Sequence, residues 1–410
     1  MIERSGTNYI LLGAIVVNML ITICPFIDLY ANWYITLIPV VVMMFFLQND
    51  KLSYSNAINS LLLGTSLVLL KYWVVSRGGD FANVMVNGVI SWTPCIITFL
   101  CVRELNYRTQ KMLVQIALIA MMVTAITTIQ GLKMFPFASR ELAGAATGEQ
   151  REMYMSFNIG GFDFIYALVI AIPVVIWMIN HTNKYWKLLN IVVLLSMIDC
   201  IYASEYTTAL IITILIFFLI PFYSKPKMRP AIITCAAIFV IYAGTGIFSA
   251  IIRGLSSMME SDYVADRLQQ VALLLEGQSA QNIDTETSNE RLVLMQQAYD
   301  GFFASPIWGN NWISYSKKVL SGHSFALDLL SASGILGFLV YFRVFYSVFK
   351  KVYTQGFNQL VYHSKIVWLA FIAVTIMNPS AFAIIYLVIF TLAEIINRLN
   401  SIEKINNNGR

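Results

Sequence analysis

Residues 164–180 read Phe-Ile-Tyr-Ala-Leu-Val-Ile-Ala-Ile-Pro-Val-Val-Ile-Trp-Met-Ile-Asn, without one charged side chain. With the lead-in from Asn158, this run is long enough to cross a hydrocarbon core about 30 Å thick, which takes roughly 20 apolar residues in a helix. The same texture recurs along the whole chain. Spanning helices are predicted near 8–27, 31–48, 56–75, 82–101, 112–131, 158–180, 187–203, 207–223, 230–250, 324–345, 364–377 and 380–397. Asn378-Pro379 separates the last pair, because a proline ends the helix before it. The expected fold class is therefore all-α: a polytopic integral membrane protein with about 12 transmembrane helices in a single domain, 1–410.

Composition agrees. Of 410 residues, 58% are hydrophobic and only 12% charged. Soluble proteins average about 45–50% apolar and about 25% charged residues, so this chain cannot cover a water-facing surface. A soluble enzyme, a disordered chain and a secreted disulfide scaffold are excluded. The five cysteines (Cys24, Cys95, Cys101, Cys200, Cys235) fall in or beside apolar segments, form no C-x-x-C, and share the chain with three histidines. A Cys/His zinc site is not expected. The first apolar run starts near Tyr9, lacks a basic lead and is too long for a signal core, so it is expected to stay as a spanning helix.

Orientation follows from basic residues. Arg4, Lys51, Arg103, Arg108, Lys111, Lys184, Lys187, Lys225, Lys227, Arg229, Lys350, Lys351, Lys365, Arg398, Lys404 and Arg410 all fall on one side of the expected topology. The positive-inside rule makes that side, with both termini, cytoplasmic. Two long loops then lie outside, near 132–157 and 251–323. In the second, Ser261 is expected to cap a helix over 262–276, with Gly277 as its stop. Residues 278–287 read as a linker. Thr287 and Glu290 form a capping box for a helix over 288–303, and Pro306 and Gly309 turn the chain after it.

Ionisable residues at mid-depth cost roughly 2.5–3.5 kcal/mol each, so their placement is informative. Asp163, Asp199, Glu205, Asp328 and Lys71 fall near outer helix ends, whereas Arg343 and Glu394 lie near inner ends and are expected to snorkel. The outer bias points to a site on that face. Arg140 and Arg151 sit in a Gly/Ala-rich loop that permits close approach of a ligand. Their guanidinium groups suit phosphate, through a planar fork that keeps its charge. Arg291 is expected in the first turn of its helix, where the dipole disfavours a cation but a phosphate binds well. His323 is the one histidine placed outside, and it can orient or deprotonate a hydroxyl near neutral pH. Ordinary alternatives stand beside each: solvated loop charges, an Arg291–Glu290 ion pair, or a histidine capping its helix.

The order of these pieces resembles the O-antigen polymerase and ligase superfamily of bacterial surface-polysaccharide assembly. Arg151 precedes Asn158-Ile-Gly-Gly161; Arg291 leads an amphipathic helix ending in Ser305-Pro306-Ile-Trp-Gly309; and Gly322-His323 leads to Gly334-Ile-Leu-Gly337. The resemblance covers about 140–345. Two departures are visible: Ser324 where many members have Asn after the histidine, and Ser204-Glu205-Tyr206-Thr207 where ligase-like members carry Ser-Arg-Thr. The second leans toward polymerase over ligase. The resemblance implies a GT-C-like membrane glycosyltransferase with a large helical extracytoplasmic loop, using undecaprenyl-diphosphate-linked repeat units and no metal or other cofactor. Arg140, Arg151 and Arg291 would hold the diphosphate, His323 would position or activate the acceptor hydroxyl, and Asp163, Glu205 and Asp328 would be supporting acids. A chain-length regulator protein is a further implied partner; nucleic acid is not. A ligase acting on lipid A core and a flippase or other transporter are the competing expectations.

Overall fold

The computed structural model describes residues 9–31, 33–48, 51–76, 84–143, 146–231, 233–234, 247–257, 286–310, 320–353 and 359–408, together with residues 269 and 272. Among the described residues all regular structure is helical. In chain order the helices are α1 (Tyr9–Ile23), α2 (Pro25–Tyr30), α3 (Trp33–Leu47), α4 (Lys51–Ser76), α5 (Val84–Arg103), α6 (Tyr107–Met134), α7 (Ala138–Glu141) and α8 (Gly148–Ser156). They continue as α9 (Phe162–His181), α10 (Lys184–Ala203), α11 (Thr207–Ser224), α12 (Ile247–Ser256), α13 (Glu286–Ala304), α14 (Phe325–Val352) and α15 (Tyr362–Met377). The chain closes with α16 (Ala383–Tyr386), a π-helical stretch Leu387–Leu392, and α17 (Ala393–Asn408).

Six segments among the described residues are long and apolar enough to cross a membrane: α6, α9, α10, α11, Phe325–Lys350 of α14, and Ala383–Glu403. Shorter apolar helices, Tyr9–Ile23, Ile35–Leu47, Gly88–Arg103 and Tyr362–Met377, coincide with four further expected spans. Most of the expected span 230–250 and most of the expected helix 262–276 lie outside the described residues.

Helix α9 is apolar all round and sits at the centre, with nearly every side chain from Phe164 to Met178 buried against α10, α11 and α15. That is the position an all-round apolar helix takes in a bundle. By contrast α10 and α11 bury one side and turn Leu188, Leu195, Ile214 and Phe218 outward. Few polar contacts set the register. Asn18 donates to Thr98 (2.9 Å) between α1 and α5, and Gln115 donates to Asn190 (2.9 Å) between α6 and α10. Such pairs contribute about 0.6 kcal/mol each in helical membrane proteins, so packing carries the rest. Trp92 of α5 gathers Tyr341 and Phe345 of α14 and Tyr386 of α16 within ring-centroid distances of 5.4–6.1 Å.

The bundle has two distinct ends. At one, Lys111 donates to the His181 carbonyl, Tyr107 donates to Glu403 (2.5 Å), and Arg398 donates to the Arg103 carbonyl (3.1 Å). This is the end that carries the basic residues expected on the cytoplasmic side. At the other, α6, α10 and α15 finish and α9, α11, α14 and α16 begin.

Several local expectations are refined or corrected. The connection expected at 132–157 carries two short helices, α7 and α8, and α6 runs on to Met134. Helix α13 already includes Glu286, so Thr287 is not its cap and Arg291 lies beyond its first turn. Acids at 286 and 290 complement the dipole and let the helix start earlier. Glu394 does not snorkel: it is buried and accepts a hydrogen bond from Asn397 (3.2 Å).

Candidate functional site

Arg140 stands on the short helix α7, just past the end of α6. Its Nη2 donates to the Glu205 carbonyl (2.9 Å) and approaches the Glu205 carboxylate (3.4 Å), and its guanidinium lies over the Tyr206 ring at 5.8 Å. The α10–α11 turn presents Glu205 from a left-handed backbone (φ +56°), a conformation that costs a non-glycine residue roughly 1–2 kcal/mol. Helix α7 itself is fixed: Ser139 donates to the Gly160 carbonyl (2.6 Å), and Tyr206 donates to the Ser139 carbonyl (2.9 Å). Glu141 accepts from Tyr154 (2.5 Å) and Gln150 (2.9 Å), which ties α7 to α8. That hydrogen bond, more than burial, holds the Tyr154 phenol above its ordinary pKa.

Arg151, exposed on α8, shares a cleft of about 100 Å³ with Asp28 of α2 and Asp163 of α9. Gly161 lines the cleft, and a Cβ there would stand 3.1 Å from the Asp163 carboxylate and 3.3 Å from Leu142. Asn158 (φ +56°) pins the entry to α9: its amide donates to Thr127 (3.0 Å), and its side-chain oxygen accepts from the Phe26 N–H (3.1 Å). Burial raises the Asp28 carboxyl pKa, and the Arg151 charge pulls it back in part. Sequence reading missed Asp28. The available signal was an acid three residues after Pro25, just past the end of the first expected span.

His323 lies in a loop held by Asp328. The Asp328 carboxylate accepts from the Ser321 N–H (2.7 Å), the Ser321 hydroxyl (2.7 Å) and the Gly322 N–H (3.0 Å). The Ser321 hydroxyl oxygen in turn accepts from the N–H groups of His323 (3.0 Å) and Ser324 (3.2 Å). Ser324, not His323, caps α14, accepting from the Leu327 N–H (3.2 Å) and donating to the Ile376 carbonyl (2.6 Å). The structure thus brings Asp328 to the His323 loop, Glu205 to Arg140, and Asp163 to Arg151. All six stand at the same end of the bundle, linked through residues 376–384: Ile384 lines the Arg151 cleft, and Phe382 lies 6.2 Å from Phe162. Arg291 is on α13, but its side chain falls outside the described residues.

Beside the Arg140–Glu205 pair runs a groove of about 750 Å³ between α6, α10 and α11. Ile126, Ile129, Val192, Leu195 and Leu210 line it, with Gln130, Lys133, Asp199 and Tyr202 toward one end. Helices α6 and α10 run parallel, as the Gln115–Asn190 and Thr128–Cys200 contacts show, so those polar groups share the end that carries Arg140. Tyr202 and Leu210 bracket Glu205 in sequence. Among the described residues no group of three or more His, Cys, Asp and Glu side chains is arranged to hold a metal ion.

The chain matches no family model, and no curated protein matches it significantly.

Proposed function

We propose that this protein is a membrane glycosyltransferase that polymerises undecaprenyl-diphosphate-linked repeat units of a bacterial surface polysaccharide. In this reading about 12 helices in a GT-C-like arrangement span the cytoplasmic membrane, both termini are cytoplasmic, and the reaction occurs at the outer face. The observation that carries it is an apolar groove lined by Ile126, Leu195 and Leu210 whose polar end holds Lys133 and Asp199, at the same end of the bundle as the Arg140–Glu205 pair. A charged head on a long hydrocarbon tail has that polarity.

The chemistry needs little beyond these residues. The bond between the anomeric carbon and the diphosphate oxygen breaks, and the acceptor hydroxyl oxygen forms the new glycosidic bond. Negative charge grows on the departing diphosphate, where Arg140, Arg151 and Arg291 supply preorganised positive charge. His323 takes the hydroxyl proton, on a loop that Asp328 keeps in place. One observation favours a transporter instead: α14 is broken at Gly334, and carriers build their sites on broken helices. Backbone groups and the Asn310 amide fill the break, however, and among the described residues no charged side chain takes part in the hydrogen bonds that fill it.

A strain lacking the protein decides among the readings through the length profile of its surface and lipid-linked glycan. Single repeat units outside, with no ladder, are expected. Full-length polymer stranded on the lipid means a ligase, and repeat units trapped inside mean a flippase. In the complemented strain, Arg140→Lys and Arg291→Lys should each remove most polymer at unchanged protein level, because an ammonium keeps the charge and loses the fork. Full polymer from either removes that arginine from the site.

A further inference from the structure

Helix α14 carries a non-helical residue, Gly334 (φ +63°, ψ −172°), nine positions after Phe325. At 1.5 Å per residue this is roughly 13 Å along a span whose 26 residues measure roughly 39 Å. Wherever a core of about 30 Å is laid on that span, Gly334 falls inside it, roughly 4–13 Å below the outer boundary. A break at that depth strips N–H and C=O groups of their helical partners where no water can replace them.

Residues 305–310 supply the replacements. The Ile335 N–H donates to the Pro306 carbonyl (2.8 Å), and the Leu336 N–H to the Ile307 carbonyl (3.2 Å). The Ala332 and Ser331 carbonyls accept from the Asn310 N–H (2.9 and 3.1 Å). The Asn310 amide donates to Ser331 O (2.9 Å) and Gly301 O (2.7 Å), and the Gly309 N–H to Ser305 O (2.8 Å). Gly309 (φ +72°) and Gly334 meet backbone to backbone, and a Cβ on either would collide with the other's segment. The loop and the helix break therefore satisfy each other.

The Asn310 side chain points into this joint, whereas three apolar side chains, Phe303 at the end of α13 and Ile307 and Trp308 on the loop, are exposed. Phe303, Ile307 and Trp308 are 58%, 55% and 66% exposed. Ile335 and Leu336 of α14, whose N–H groups bond the loop at Pro306 and Ile307, are exposed as well, and so is Leu339 one turn on. From Gly301 to Asn310 there is no charge, and Asp300 precedes the stretch. We propose that residues 301–310 are a re-entrant wedge sunk into the outer leaflet, with Phe303, Ile307 and Trp308 against lipid acyl chains. The partner is the hydrocarbon of the bilayer, which is what an apolar surface continuous with a spanning helix meets at that depth. The depth of the wedge rests on the membrane fold alone, its assignment to the outer leaflet on the proposed orientation, and neither rests on the proposed reaction.

The test uses the full chain with its native cysteines replaced, carrying a single nitroxide on Trp308→Cys, Leu339→Cys or Met153→Cys, in phosphatidylcholine vesicles. Power saturation compares oxygen, which concentrates in lipid, with a water-soluble nickel chelate. The 308 label is expected to match 339: accessible to oxygen, shielded from nickel, and several ångströms below the phosphates. A 308 label that matches 153, open to nickel, overturns the wedge and leaves an extramembrane apolar surface. Ile307→Cys gives the same reading if substitution at 308 prevents folding.

Discussion

At the scale of single residues, the cleft between α2, α8 and α9 sets two carboxylates against one guanidinium. Asp28 shows the consequence, since burial raises its pKa and Arg151 only partly restores it. An acid whose folded pKa lies above its unfolded value binds its proton more tightly when folded, so stability falls as pH rises from the unfolded value through the folded one. Arg151→Gln removes the opposing charge and should push the Asp28 carboxyl higher still. Its melting temperature in detergent should then fall more steeply with pH above about 4 than that of the wild type. Asp28→Asn should flatten the dependence in both backgrounds. Equal slopes in wild type and Arg151→Gln would mean that the two charges do not sense each other. Arg151 was legible from sequence, as a cation in a small-residue loop. Asp28 was not, because the contact joins positions more than a hundred residues apart and nothing local marks either one for the other.

At the scale of elements, the joint between the 305–310 loop and α14 shows the same limit. The turn at Pro306 and Gly309 and the glycine step at Gly334 and Gly337 are visible in the sequence. Their meeting is not, since it is made by backbone groups that carry no side-chain signature. Glu394 illustrates the reverse error. A charge near a helix end reads the same whether it faces lipid or a neighbour, and here α17 turns it inward. The joint makes a sharp prediction. Gly334→Ala combines a backbone conformation (φ +63°, ψ −172°) that is essentially reserved for glycine, costing roughly 1–3 kcal/mol, with a collision against the Ile307 and Gly309 backbone. It should lower the melting temperature and the yield of folded protein in membranes. Gly13→Ala, in helix α1 with nothing within 4 Å of the added carbon, should be neutral or gain up to about 1 kcal/mol. Equal stability of the two variants would show that the joint is not closed in the membrane.

For the whole molecule, legibility was highest where one physical cause acts on long stretches. Lipid demands runs of apolar residues, so the described helices could be placed, whereas the central position of α9 emerges only from its packing. The distribution of charge is a second long-range cause. Lys111, Arg103 and Arg398 gather at one end of the bundle, whereas Arg140, Arg151 and His323 gather at the other. If the first end is cytoplasmic, Arg140, Arg151 and His323 lie outside, where the proposed joining of lipid-linked repeat units would take place. A cysteine replacing Met153 should therefore react with an impermeant thiol reagent on intact cells, and one replacing Lys227 only after lysis. Met153 and Lys227 are both exposed, so accessibility is not the variable that separates them. The four described native cysteines, Cys24, Cys95, Cys101 and Cys200, are buried and should add little background. The opposite pattern would leave the fold intact but put Arg140, Arg151 and His323 in the cytoplasm. The proposed site would then face soluble nucleotide-sugars instead of exported lipid-linked glycan, and a polymerase acting at the outer face would be ruled out on topology alone.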